Sequence, residues 1–103
     1  AIAERYAELA AAWPSPVVQL NRAVALSRVP GADPAEALAL VAQVAADPRM
    51  AGYPWLPSVQ GDLLERLGRR AEARAAFERA AALAGNEHDR QLMRRRVAAL
   101  AGA

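Results

Sequence analysis

The chain has 103 residues, enough for one domain with a modest core. It has no cysteine, which excludes disulfides and thiolate metal sites, and no apolar run approaches the length of a membrane span. Its thirteen basic residues, all arginines, nearly balance eleven carboxylates and are interspersed with them, as on a solvated helical surface. No signal-peptide pattern is present, so a reducing cytoplasm is the expected compartment. The first residues after Ala1 already read as mid-helix, which leads us to expect a piece of a longer protein.

Ile2, Tyr6, Leu9 and Ala10 share one side of a predicted amphipathic helix over 2–12. Trp13-Pro14 ends it, because a residue before proline avoids the α region. Ser15 then caps a helix reaching about Val29, with Pro16 in its first turn. Val17, Leu20 and Val24 mark one face of it, and Val18, Ala25 and Val29 another, so it reads as sandwiched between neighbours. Pro30-Gly31-Ala32 is a loop. Asp33-Pro34-Ala35-Glu36 opens the next helix, to about Ala46, with Ala37, Leu38, Val41 and Val44 inward. Residues 47–52 are a turn-rich link. A fourth helix over 54–67 tolerates Pro54 and Pro57 only in its first turn, where backbone N–H groups lack partners. Leu56, Val59, Leu63, Leu64 and Leu67 are its buried stripe. Gly68 stops it, as a left-handed C-terminal cap requires. The fifth helix, about Arg70 to Ala84, carries Ala73, Phe77 and Ala80 on one face. After Gly85, Asn86 caps a sixth, with Asp89 near its positive end and Met93, Val97 and Leu100 inward.

Glu72-Ala73 aligns with Glu36-Ala37 at a shift of 36 residues. Phe77 then falls on Val41, Ala80 on Val44 and Gly61 on Ala25. Two antiparallel hairpins in series follow, with helix 2–12 as the second half of a truncated upstream hairpin. Small residues at Gly61, Ala73 and Ala80 around Phe77 match the core of a tetratricopeptide (TPR) hairpin, although Pro57, Gln60, Leu64 and Gly85 replace other consensus residues. The expected fold is all-α: one TPR-like domain over 1–103, about six helices in a short right-handed α-solenoid.

The catalytic inventory is poor: one histidine, three serines (Ser15, Ser27, Ser58), and no cysteine, lysine or threonine. His88 reads as a surface residue in a first helical turn rather than an acid–base group or metal ligand. No metal-ligand spacing and no Gly-rich phosphate loop occurs. An enzyme is not expected, and neither a cofactor nor a metal. Arg90, Arg94, Arg95 and Arg96 do not form one stripe on a helix, and no aromatic is interleaved for base stacking. They read as a solvated or partner-facing surface, not a DNA grip. Asn21 lies among Val17, Val18, Val24 and Ala25, so its amide is expected to be buried. Either it bonds a backbone group and fixes hairpin register, or it contacts a peptide in the groove. Tyr53 and Trp55 read as core or linker packing, with partner contact as the other reading.

Four phrases occur together: Ser15-Pro16-Val17-Val18-Gln19-Leu20-Asn21-Arg22-Ala23-Val24-Ala25, then Gly61-Asp62-Leu63-Leu64-Glu65-Arg66-Leu67-Gly68-Arg69, then Glu72-Ala73-Arg74-Ala75-Ala76-Phe77-Glu78-Arg79-Ala80, then Gly85-Asn86-Glu87 with Arg90. In this combination the chain resembles the C-terminal TPR-like extension of one group of extracytoplasmic-function (ECF) sigma factors. The resemblance covers about residues 5–100; the regions that recognise promoters and bind core polymerase are absent. It implies a regulatory interaction domain that modulates sigma activity in bacterial transcription initiation. Implied partners are the sigma domains of the same protein, RNA polymerase, or a small YCII-like protein. Motif positions carried over are Asn21, Arg22, Asp62, Arg66, Gly68, Arg69, Asn86 and Arg90; apart from Gly68, these are the candidate partner-binding residues. Phe77 stands where tyrosine is common. A TPR stack presents a concave face made by the first helices of its hairpins, here 15–29 and 54–67, which puts Asn21, Arg22 and Asp62 near any groove. The alternative is a stand-alone TPR adaptor for an unrelated peptide.

Overall fold

Residues 15–101 are described in the computed structural model of the chain. Five α-helices occupy them: α1 Pro16–Ser27, α2 Pro34–Ala45, α3 Trp55–Arg66, α4 Arg70–Leu83 and α5 Glu87–Ala101, with one 3-10 turn at Pro48–Met50. Among the described residues there is no strand. The expected helix 2–12 lies outside them.

The helix starts are written in local chemistry. Ser15, extended at φ −110° and ψ 122°, caps α1 ahead of Pro16. Asp33 Oδ1 accepts the Ala35 N–H at 2.9 Å, with Pro34 in the first helical position. Asn86 Oδ1 accepts the Asp89 N–H at 2.8 Å and starts α5. Each cap satisfies a donor that the helix itself cannot. Asp47 does the same for the 3-10 turn, accepting the Arg49 N–H at 2.9 Å and pairing with its guanidinium at 2.7 Å. The side-chain hydrogen bond from Arg49 holds the Asp47 carboxyl below the usual carboxylate range.

α3 ends on Gly68, at φ +76°. The Gly68 N–H donates to Glu65 O at 3.0 Å and the Arg69 N–H to Leu64 O at 2.9 Å. These two bonds complete a Schellman motif, which needs the left-handed conformation at Gly68. The chain therefore turns within three residues, and α4 runs back along α3. Residues from the start of α3 and the end of α4 line one cleft, which confirms that the pair is antiparallel. Midway along the same pair, Gly61 makes room for Phe77. A Cβ on Gly61 would lie 2.8 Å from the Phe77 ring, inside van der Waals contact.

Each helix packs chiefly on its sequence neighbours, α1 on α2, α2 on α3, α3 on α4 and α4 on α5. The core is correspondingly in two parts. Leu20 and Ala23 of α1, Ala37, Val41 and Val44 of α2, and Leu56, Val59 and Leu63 of α3 bury one cluster, plugged by Met50. Leu64, Ala73, Ala76, Phe77 and Leu100 bury the second, between α3, α4 and α5. α3 serves both, because its adjacent Leu63 and Leu64 point about 100° apart. Leu38 touches both clusters and joins them.

The 36-residue correspondence is visible in burial. Leu20 and Leu56, Ala23 and Val59, Ala37 and Ala73, Val41 and Phe77, and Val44 and Ala80 are all buried pairs. It fails at Ala25 and Arg28, which are exposed where Gly61 and Leu64 are buried. Two expectations for α1 need correction for the same reason. Among the described residues only one of its faces is covered: Ala25 and Leu26 are exposed, and Val29 is 55% exposed. Asn21 is exposed too, so its amide has no desolvation to offset.

Candidate functional site

Alternation of direction puts α1, α3 and α5 parallel to one another, with α2 and α4 behind them. Side chains from α1, α3 and α5 line a shallow cleft of about 300 Å³. Val24 and Ser27 come from α1 and Arg28 from its C-cap, Ser58, Asp62 and Arg66 from α3, and Met93 and Arg96 from α5, while Phe77 of α4 reaches its floor.

The cleft's charges are tied together. Arg66 pairs with Asp62 at 3.0 Å, one helical turn earlier, and its other terminal nitrogen donates to Ser27 O at 3.2 Å. Arg96 reaches Glu65 at 3.0 Å and Asp62 at 3.6 Å across the α3–α5 interface. Its guanidinium also stacks over Phe77, 4.5 Å from the ring centroid. Three attractions thus hold one cation above the second core cluster, with the cation–π contact strengthened by partial desolvation. Arg28 has no ion pair among the described residues.

A second cleft, about 450 Å³, continues along the same face past Trp55, Ser58 and Met93, which line both. It is apolar, built from Tyr53, Pro54, Ala80, Ala84 and Leu92, with Asp89 at its margin. Trp55 is 39% exposed and Leu92 44% exposed. Tyr53 packs on the first core cluster, as expected, while much of the indole of Trp55 faces outward.

The candidate residues separate into groups. Asp62 and Arg66 line the groove. Asn21 and Arg22 are exposed on α1 but do not line it. Arg69 pairs with Glu72 at 2.6 Å at the start of α4. Asn86 caps α5, its side-chain amide also donating to Asp89 at 2.9 Å. Arg90 bonds Glu87 and reaches the terminal carbonyl of Ala84 at 3.4 Å. Hydrogen bonds from Arg90 and then Gln91 hold the Glu87 carboxyl below its ordinary range.

Arg90 belongs to a pattern that sequence reasoning missed. Arg66 donates to the last carbonyl of α1, Arg70 to Leu100 O near the end of α5 at 3.4 Å, and Arg90 to the C-cap carbonyl of α4. Three helix C-termini are thus closed by arginines of other helices, which also compensates the negative end of each helix dipole. Arg96 was missed as a groove residue as well. Its spacing from Asp62, Glu65 and Phe77 carries no such signal, because these contacts are between helices.

His88 is exposed at the start of α5, away from both clefts. Among the described residues no group of three His, Asp or Glu side chains could hold a metal ion. No described helix is long and apolar enough to cross a membrane.

No protein-family model matches the chain, and no solved structure matches it. An uncharacterized protein of Rhizobium meliloti (strain 1021) is 45% identical to it over 96 residues. That match covers 93% of this chain and 22% of the relative, so the chain spans less than a quarter of the curated protein it resembles.

Proposed function

We propose that this chain is a TPR-like protein-interaction module, the C-terminal regulatory part of an ECF-type sigma factor acting in the bacterial cytoplasm. The observation that carries the interaction reading is the groove along α1, α3 and α5. It offers exposed indole and aliphatic surface beside three guanidinium groups, on a framework of packed alanine and leucine. Such a face suits recognition of another polypeptide, where aromatic and arginine side chains dominate affinity. A Gly-to-Phe contact across a glycine-closed hairpin, and buried pairs recurring at 36 residues, support stacking of TPR-like units. The sigma-factor part rests on the motif resemblance. A relative more than four times as long as the match suits a module attached to other domains.

The ligand on this reading is the pair of sigma domains of the same protein, RNA polymerase, or a small YCII-like protein, with no DNA contact by this module and no catalysis. The test takes the full gene product and the same protein lacking this module. Promoter-dependent transcription with purified core polymerase is expected to change on deletion, and the module added in trans is expected to bind the remainder. Unchanged transcription together with no association rejects the sigma reading and leaves a stand-alone adaptor.

A further inference from the structure

The two clefts form one trough, because Trp55, Ser58 and Met93 line both. Its two ends differ in chemistry. One end is apolar, with Trp55, Leu92 and Met93 around a volume of about 450 Å³ and a single carboxylate, Asp89, at its margin, where it accepts from the Asn86 amide. The other carries Arg28, Arg66 and Arg96 against the single carboxylate of Asp62. Even with Glu65 counted, which pairs with Arg96 from outside the lining, that end keeps an excess of one positive charge. Arg66 and Arg96 are held in place by Asp62, Glu65, Ser27 O and the Phe77 ring, so their donors need little ordering on binding.

We propose that this trough takes an acidic peptide segment, its apolar side chain seated at Trp55, Leu92 and Met93 and its carboxylate at Arg28, Arg66 and Arg96. The inference rests on the interaction-module reading and specifies the partner's chemistry. The two ends are separated along α3 by the rise from Trp55 to between Asp62 and Arg66, about 10–16 Å at 1.5 Å per residue. A bound helix would span that with anchor and acid about 7–11 residues apart, and an extended segment with about 3–5. Charge complementarity favours carboxylate over a basic segment, whose cations would meet Arg28 and Arg96.

The test uses residues 1–103 and a phage-displayed library of random 16-residue peptides, followed by synthesis of the enriched sequences. Retained peptides are expected to combine an aromatic or aliphatic residue with Asp or Glu at those spacings. Arg28→Glu and Leu92→Ala alter exposed side chains outside the arginine-capped framework, and each is expected to weaken binding about tenfold. Binding is also expected to fall as ionic strength rises. Circular dichroism and thermal melting of both variants check that the fold is kept. Enrichment of basic peptides, or affinity indifferent to both variants, overturns the acidic-segment proposal while leaving an interaction module in place. So does tighter binding of a single-stranded oligonucleotide at the same residues. Failure to enrich any peptide overturns it too, while the sigma reading stands or falls separately on transcription and association with the full gene product.

Discussion

Gly61 and Gly68 lie seven positions apart and are glycine for different reasons. At Gly61 the constraint is space, since a Cβ would meet the Phe77 ring at 2.8 Å. At Gly68 the space is open and the constraint is the backbone, at φ +76°. The two are separable by experiment. Gly61→Ala is expected to destabilise the chain by about 1–3 kcal/mol, the usual range for overpacking. Phe77→Leu in that background should restore part of the loss, so the double variant costs less than the sum of the singles. Gly68→Ala is expected to cost about 1 kcal/mol whatever occupies position 77. Urea unfolding of the five variants measures both, and a Gly61 penalty indifferent to residue 77 would contradict the contact. Sequence alone reveals the glycine stop, because the signal is local. It suggests a small residue at Gly61 but not which ring atoms it must clear.

At the scale of helices, termini were legible to within one or two residues wherever a cap is encoded nearby, as at Ser15, Asp33, Gly68 and Asn86. What could not be read are the closures made at a distance. Arg66 reaches a carbonyl 39 residues earlier and Arg70 one 30 residues later, and nothing in either local sequence marks the recipient. The exposure of Asn21 was misjudged for a related reason: apolar neighbours on a helix predict a covering only if another element lies there. Two carboxylates, half-buried Asp47 and exposed Glu87, make the helix starts sensitive to acid. Asp47 and Glu87 have lowered pKa values, so each binds its proton less readily when folded. Their stabilisation is complete above the ordinary carboxylate range and is lost as pH falls through the lowered folded values. The melting temperature is therefore expected to fall between about pH 5 and pH 2. Arg90→Gln should lower the melting temperature at neutral pH and flatten part of that acid limb, as followed by circular dichroism. An acid limb unchanged by the substitution would deny Glu87 its role.

For the molecule as a whole, nearest-neighbour packing means that stability is distributed rather than pooled. α3 contributes to both core clusters and α4 packs between α3 and α5, so their amides are expected to exchange with solvent most slowly. α5, buried only at Leu100 and half-buried at Met93 and Val97, should exchange faster. Native-state hydrogen exchange resolved by helix reports the order, and protection greatest in α5 would refute it. The groove was half legible: Asp62 and the choice of α1 and α3 as its walls follow from hairpin order. Arg96 and the outward indole of Trp55 depend on how α5 lies across α3, which no local pattern encodes.

The arginine closures also restrict how such an array can be edited. Donor and recipient sit on different helices, so excising one helix would strip a terminus elsewhere of its closing group. Splicing in an extra helix would set that group beside a stranger. Length variants of this architecture are thus expected to arise by gain or loss of whole repeating units, so that each arginine still meets an equivalent carbonyl on the neighbouring unit.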